Sequence, residues 1–382
     1  MITAVPPNKP KPVALKRYRY SILCIGFVLL LLLPSFDQIW GFSKEFRSTE
    51  KRILAPFPTF RFPHIKTYIH EFDQYYKENF GWRNALFYVY SKWKLNVLKK
   101  SPLPEKVVVG KNGWFYPGNS LNRIVDQYQG NRPLSLSSLR LIATRLANFQ
   151  KHLAKQNSRL YLVVAPDSYS IYPENLPAYL HKKKASNLDL FKKYITENTY
   201  VPLIDIRNKL LAAKKKHLVY YQTDTHWNEY GALTASLAIV DRIRQDYPQI
   251  PEGRLTDYQI ESVKGVGGDL SAMLALDEEY IDSVVYRIRP LPAIAAWQVQ
   301  SVPDQNGKLP SSRFIGKQSN LPKLLLIGDS FSFNMNSFIP NYFGNTYIVR
   351  SNEFNQVLAR TEQPDIVIVE IVERNIDLLA SY

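Results

Sequence analysis

Lys323-Leu-Leu-Leu-Ile327 is an unbroken apolar run, and it leads directly into Gly328-Asp-Ser-Phe-Ser332. A run this short, bounded by turn formers, reads as a strand buried on both faces. Gly328 permits a tight turn, and a helix is expected over 332–338. The same rhythm extends in both directions. Downstream come a strand over 345–350, a helix over 353–361 and a strand over 365–371 (Asp-Ile-Val-Ile-Val-Glu-Ile). Upstream, Leu139, Ile142, Leu146, Phe149 and Leu153 recur at spacings of three and four, as on an amphipathic helix. Arg159-Leu-Tyr-Leu-Val-Val-Ala165 is a second buried strand. Helices over 187–198, 206–216 and 228–245 then alternate with strands over 200–205 and 218–222. Residues 255–320 break the rhythm and read as an insertion or antiparallel excursion. Repeated strand–helix units imply an α/β fold, a mostly parallel sheet with helices on both faces.

The N-terminus sets the compartment. Ser21 to Pro34 is almost wholly apolar, and with Tyr20, Ser35, Phe36 and the Ile39–Trp40 edge it is long enough to span a bilayer, although Asp37 weakens its far end. Lys9, Lys11, Lys16, Arg17 and Arg19 precede it without any acidic residue. Positive charge stays on the cytoplasmic side, so the rest of the chain is expected outside. A cleaved signal peptide is the rival reading, but Pro34 to Trp40 holds no small-x-small cleavage site. The expected division is a basic tail over 1–19, an anchor over 20–40, a juxtamembrane linker, helix and hairpin over 41–130, and the α/β domain over 131–382. Pro56, Pro58 and Pro63 argue for extended chain before 65. Residues 66–100 read as helical, and Val107 to Tyr116 as a hairpin with an Asn-Gly turn.

Composition narrows the chemistry. The 382 residues hold one cysteine, Cys24, so an intramolecular disulfide and a paired-cysteine metal site are excluded. The formal charge of +16, less the five charges of the tail, leaves +11 outside, which suits an anionic partner. Aromatic residues do not interleave with the runs Lys182–Lys184 and Lys214–Lys216, so these read as solvated faces and no nucleic acid is implied.

In such sheets ligands bind beyond the carboxyl ends of the strands. Ser330 sits at one such end, where its backbone N–H can hold an oxyanion. The bland alternative makes Asp329 or Ser330 a helix cap. Tyr221-Gln-Thr-Asp224-Thr-His226-Trp-Asn228 follows another expected strand. Here Asp224 can fix the tautomer of His226, whose other nitrogen can accept the serine proton. Competing readings make Asn228 a helix cap, or Asp224 and His226 metal ligands. No second Asp/His cluster of like density completes a metal set, so no metal and no cofactor is expected. Ala165 to Pro177, with Ser168 and Tyr172, follows a third strand and could line the same cleft. Glu370-Ile-Val-Glu-Arg374-Asn375 ends the last strand; Arg374 could bind substrate, or form a salt bridge.

Taken together these residues resemble the SGNH-hydrolase-like domain of bacterial polysaccharide O-acetylation proteins, the AlgJ/AlgX type. The resemblance runs over roughly residues 45–382. It rests on Arg52-Ile-Leu-Ala-Pro-Phe-Pro58, Glu78-Asn-Phe-Gly-Trp-Arg83, Gly110-Lys-Asn-Gly-Trp-Phe-Tyr116, Ile171-Tyr-Pro-Glu-Asn-Leu-Pro177, Asp224-Thr-His-Trp-Asn228, Gly268-Asp-Leu270 and Gly328-Asp-Ser-Phe331. As in that family, the Asp-x-His pair precedes the serine. Family members often carry lysine where this chain has Ser168. The resemblance implies acyl transfer through an acetyl-Ser330, a polysaccharide acceptor that could be acidic, and a membrane-bound O-acyltransferase that supplies acetyl across the inner membrane. A carbohydrate acetylesterase of the same fold and a non-catalytic glycan-binding or scaffold subunit are the alternatives.

Overall fold

The computed structural model describes residues 13–43, 46, 54–182, 185–302, 311–351 and 354–381. Most of the basic tail, Arg52–Ile53 and Lys183–Lys184 lie outside these. The chain divides into two compact units, residues 1–96 and 97–382.

The first unit is helical. Helix α1 (Val13–Trp40) contains the apolar stretch Tyr20–Trp40. Helices α2 (Ile65–Asn79) and α3 (Arg83–Asn96) follow. The single helix expected over 66–100 is therefore two, broken at an elbow over 80–82. The cause is local. A Cβ on Gly81 would sit 2.1 Å from the Pro34 carbonyl oxygen, so only glycine allows this approach to α1. Trp82 is held at φ 67°, a left-handed conformation that no α-helix interior uses. Asp37, expected only to weaken the span, instead accepts hydrogen bonds from Ser43 N (2.8 Å), Ser43 Oγ (2.6 Å) and Trp82 N (2.9 Å).

The second unit is built on a seven-stranded sheet. Its strands are β1 (Arg159–Ala165), β2 (Leu203–Ile204), β3 (Trp297–Val302), β4 (Ser311–Ile315), β5 (Lys323–Gly328), β6 (Asn345–Arg350) and β7 (Ile366–Val372). Their spatial order is β2-β1-β7-β5-β6-β4-β3. The five strands from β2 to β6 run parallel, while β4 and β3 add an antiparallel edge. The break in rhythm over 255–320 thus supplies part of the sheet itself. Its other strands form a separate antiparallel hairpin, Tyr258–Val263 with Val285–Pro290.

Alternation along the central strands decides the layers, because successive side chains point to opposite faces. Leu325, Ile327, Val367 and Val369 pack under α4 (Leu136–Ala154) and α5 (Asn187–Asn198). Leu324, Leu326, Ile366 and Ile368 pack on the other face, with Leu210 of α6 (Arg207–Ala213) and Leu233, Ile239 and Ile243 of α7 (Glu229–Arg244). Among the shorter helices are α8 (Ser330–Phe333) and α9 (Gln356–Glu362).

Three expectations need correction. Residues 218–222 form no strand; Tyr220 makes only an isolated bridge to Trp227, and the chain turns back on itself. The strand over 200–205 shrinks to Leu203–Ile204, paired with Leu162 and Val163. The helix over 332–338 begins instead at Ser330 and lasts four residues. The hairpin Val107–Val109/Phe115–Pro117 forms around Asn112 and Gly113, both at positive φ, and belongs to the same unit as the sheet.

Leu326 is fully buried at the centre of the sheet. Leu326→Ala is expected to cost about 3 kcal/mol of unfolding free energy, read as a lower urea midpoint with an unchanged slope.

Candidate active site

Strand register brings the first components together. Val372 pairs with Ala165 and Val369 with Ile327, so the carboxyl ends of β1, β7 and β5 lie side by side. Beyond them emerge Asp167, Glu373–Arg374 and Asp329–Ser330. Gly328 is needed at the end of β5 because a Cβ there would meet Glu370 Oε2 and Ser332 Oγ, both at 2.7 Å. Asp329 caps α8. Its Oδ1 accepts from Phe331 N (2.9 Å), while its Oδ2 accepts from Val372 N (2.9 Å). The capping role thus falls to Asp329 and leaves the Ser330 hydroxyl free for another partner.

That partner is His226. Its Nε2 lies 2.8 Å from Ser330 Oγ, and its Nδ1 lies 2.7 Å from Asp224 Oδ1. Serine, imidazole and carboxylate form one hydrogen-bonded line. Both Asp224 and His226 keep about a fifth to a quarter of their side-chain surface open, so a ligand can reach them.

The loop that carries Asp224 and His226 has no strand to stiffen it, and three carboxylates do so instead. Asp282 Oδ1 accepts from Gln222 N (2.5 Å) and Thr223 N (3.0 Å). Asp269 accepts from Thr225 N (2.9 Å) and Thr225 Oγ1 (2.8 Å). The Asp269 N–H donates to Asp224 Oδ2 at 2.9 Å. Gly268 allows this close approach, since a Cβ would lie 2.5 Å from both Asp224 Cβ and Thr223 O. Asn228 caps α7 by accepting from Gly231 N at 2.9 Å, as its bland reading had it.

The electrostatics follow from these contacts. Burial works to raise Asp224, but hydrogen bonds from His226 and from the Asp269 and His226 N–H groups outweigh it and hold the carboxyl below its usual range. Burial and then the charge of Asp224 raise Asp269. Burial pushes Asp282 up to about 6. Beneath the serine turn, burial and the charge of Asp329 hold Glu370 well above the ordinary carboxylate range. Glu370 Oε2 accepts from Asp329 N at 3.2 Å.

The remaining candidates are embedded in packing. Tyr172 is buried, its hydroxyl accepts from Val219 N (3.0 Å), and its ring lies 4.2 Å from that of Trp114. Ser168 is buried at the start of the short helix Ser168–Ile171. Arg374 forms a buried ion pair with Asp167, and its guanidinium lies 5.4 Å from the centre of the Phe331 ring. The salt bridge, not an open substrate contact, is what the structure gives Arg374. Phe331 in turn touches the rings of His226 and Trp227, at 5.1 and 5.0 Å. Among the described residues, Asp224, His226 and Asp269 have atoms close enough to share a metal ion. Each of their four carboxylate oxygens already accepts a protein hydrogen bond. Sequence reasoning passed over Asp282 and Glu370. Asp269 carried a signal, since Gly268-Asp-Leu270 was among the family-like segments.

Residues 107–369 match the family model described as SGNH hydrolase-like domain, acetyltransferase AlgX. The chain belongs to this family. The match thus covers the hairpin, all of the sheet but the last three residues of β7, and all three residues of the hydrogen-bonded line. A probable alginate O-acetylase AlgJ of Pseudomonas syringae pv. tomato is 29% identical over 179 residues, 45% of this chain and 42% of that protein. The probable alginate O-acetylase AlgJ of Pseudomonas aeruginosa is 24% identical over 234 residues, 60% of this chain and 56% of that one. The chain spans about half the length of the curated relatives it matches. Among solved structures, Bacillus cereus PatB1 aligns with a TM-score of 0.56 at 14% identity, covering 71% of this chain and 96% of that one. At this identity the likeness speaks for the fold alone.

The Asp282 carboxyl binds its proton more tightly folded than unfolded. Its contribution to stability is therefore present in full below about pH 4 and is lost as pH rises to about 6. The loss is about 2 kcal/mol once partial solvation is allowed for. Asp282→Asn keeps an oxygen for both N–H donors and carries no such charge. The stability difference between the two proteins, followed by urea unfolding, is expected to shift in the variant's favour across that pH window and to stay flat above it.

Proposed function

We propose that this chain is a membrane-anchored, extracytoplasmic polysaccharide O-acetyltransferase working through an acetyl-serine. The observation that carries the proposal is the line from Asp224 through His226 to Ser330, with both contacts within 2.8 Å. His226 takes the Ser330 proton on Nε2 as Oγ bonds to the acyl carbon of the donor. The oxyanion is held by the Ser330 N–H. The same imidazole returns the proton to the departing alkoxide as the donor's ester bond breaks, leaving acetyl-Ser330. A sugar hydroxyl then repeats the sequence: it gives its proton to His226, bonds to the acetyl carbon and releases Ser330. Asp224, kept ionised by its three N–H donors, holds the imidazole tautomer and stabilises the imidazolium.

The acetyl donor is proposed to come from a membrane-bound O-acyltransferase, with α1 crossing the inner membrane from a cytoplasmic N-terminus. The alginate O-acetylase relatives and the excess of positive charge support an acidic polysaccharide as acceptor. Ser168, Tyr172 and Arg374 are best read as supports of the loops around the site rather than as substrate contacts.

The test gives the purified full chain a chromogenic acetyl ester, with and without alginate oligosaccharides. Ester-linked acetyl should appear on the sugar. Ser330→Ala and His226→Ala should each lose ~10³-fold or more of the rate. Acetate release that ignores the sugar would make the chain an esterase. Transfer that survives both substitutions would overturn the mechanism.

A further inference from the structure

Helix α2 is amphipathic, yet none of its residues is buried. Ile65, Ile69, Phe72 and Tyr76 recur at i, i+4, i+7 and i+11 along one face, and all four are exposed, Ile69 by 61%. Thr67, Gln74 and Glu78 lie on the opposite face. The preceding chain enlarges the apolar surface. The Phe57 ring packs edge-on against Phe72 and Tyr75, and Phe60 against Tyr68, while both phenyl rings remain more than half exposed. A contiguous aromatic patch of this kind marks an interaction site.

Its position identifies the occupant. The α2–α3 elbow is fastened to the last turns of α1. Tyr75 OH accepts from Gln38 Nε2 (2.9 Å), Trp82 N donates to Asp37 Oδ2 (2.9 Å), and Gly81 packs against the Pro34 carbonyl. With α1 crossing the bilayer, its last turn lies at headgroup level, and so does the end of α2. Phe36 stacks on Trp40 and Phe42 lies tilted beside it, an aromatic cluster of the kind found at a membrane–water boundary. Residues 41–96 hold ten Lys and Arg against five Asp and Glu, a charge balance that favours anionic headgroups.

We propose that α2 and the Phe57–Phe60 segment form a second membrane contact. They lie in the interfacial plane of an anionic bilayer, with the Ile65–Tyr76 stripe inserted among the acyl chains. The anchor alone lets the chain swivel about one helix. A second contact fixes the outer end of α1 to the membrane surface and limits that motion. The proposal rests on α1 as a membrane span.

The test uses the full chain in nanodiscs of phosphatidylethanolamine and phosphatidylglycerol. Cys24→Ser removes the native thiol, and single nitroxide labels are placed through Val28→Cys, Phe57→Cys, Ile69→Cys and Gln74→Cys. Relaxation by oxygen is compared with relaxation by a nickel chelate. Labels at 28, 57 and 69 are expected to favour oxygen, and the label at 74 to favour nickel. The preference at 57 and 69 should weaken in phosphatidylcholine alone. If 28 favours oxygen but 57 and 69 match 74, the surface contact is overturned while the span stands; a patch reserved for another protein gives this result. If 28 itself favours nickel, the span and the proposal fall together. Spin–spin broadening at 69 would put a second copy of the chain on the patch and overturn the lipid contact.

Discussion

The carboxylate of Asp224 is the junction on which the site depends. Burial opposes its charge, and the opposition is met by N–H donors on both oxygens. Oδ1 takes the His226 ring nitrogen and so sets the direction of the imidazole. Oδ2 takes the backbone of Asp269 and so docks a turn 45 residues further along the chain. Loss of either set of donors would leave the buried charge less compensated and the loop less supported. The donors that keep this acid ionised are the same contacts that hold its loop in place.

The serine reaches the imidazole from the other side, 104 residues away in sequence. Its position is a property of the sheet. The register of β1, β7 and β5 aligns three strand ends, and Asp329 ties the serine turn to β7 through Val372 N. Glu370, fully buried on β7, supports the same turn from beneath. The ion pair of Arg374 with Asp167 links the ends of β7 and β1 and lies against Phe331, next to Ser330. Buried polar groups of this kind cost free energy unless they are partnered. At Asp329 and in the Arg374–Asp167 pair the partnering fixes where the strand-end loops go, while Glu370 Oε1 has no hydrogen-bond partner.

Much of this could be read from residue order. The runs 159–165, 323–327 and 365–371 announce themselves because a strand buried on both faces must be apolar throughout. The two motifs stand out because each carries a chemically apt residue beside a turn former. What stayed hidden has a physical cause in each case. Residues 218–222 have strand-like composition, but Tyr220 pairs only with Trp227, and composition cannot show that a neighbour is missing. Leu203–Ile204 is short because only Leu162 and Val163 pair with it. Strands β3 and β4 are short and lie at one side of the sheet, where Trp297-Gln-Val-Gln300 alternates for only four residues and Ser311-Ser-Arg-Phe-Ile315 holds no apolar run. Tyr172 could line a cleft or belong to a connecting loop, and for Arg374 a salt bridge is the favoured reading, but the sequence names neither partner. Val219 N and Asp167, which bury them, are invisible until the fold brings them near. Asp282 lies in the excursion, 59 residues from Thr223, with nothing around it to advertise its role.

The most direct test of the account is to locate the acyl group. The purified chain is mixed with an acetyl ester donor, quenched in acid and digested, and the acetylated peptide is identified by mass spectrometry. The account requires one acetyl on the peptide carrying Gly328-Asp-Ser330, absent after Ser330→Ala and much reduced after His226→Ala. Acetyl found on another residue, or transfer to sugar in a chain that never carries acetyl on Ser330, would contradict it.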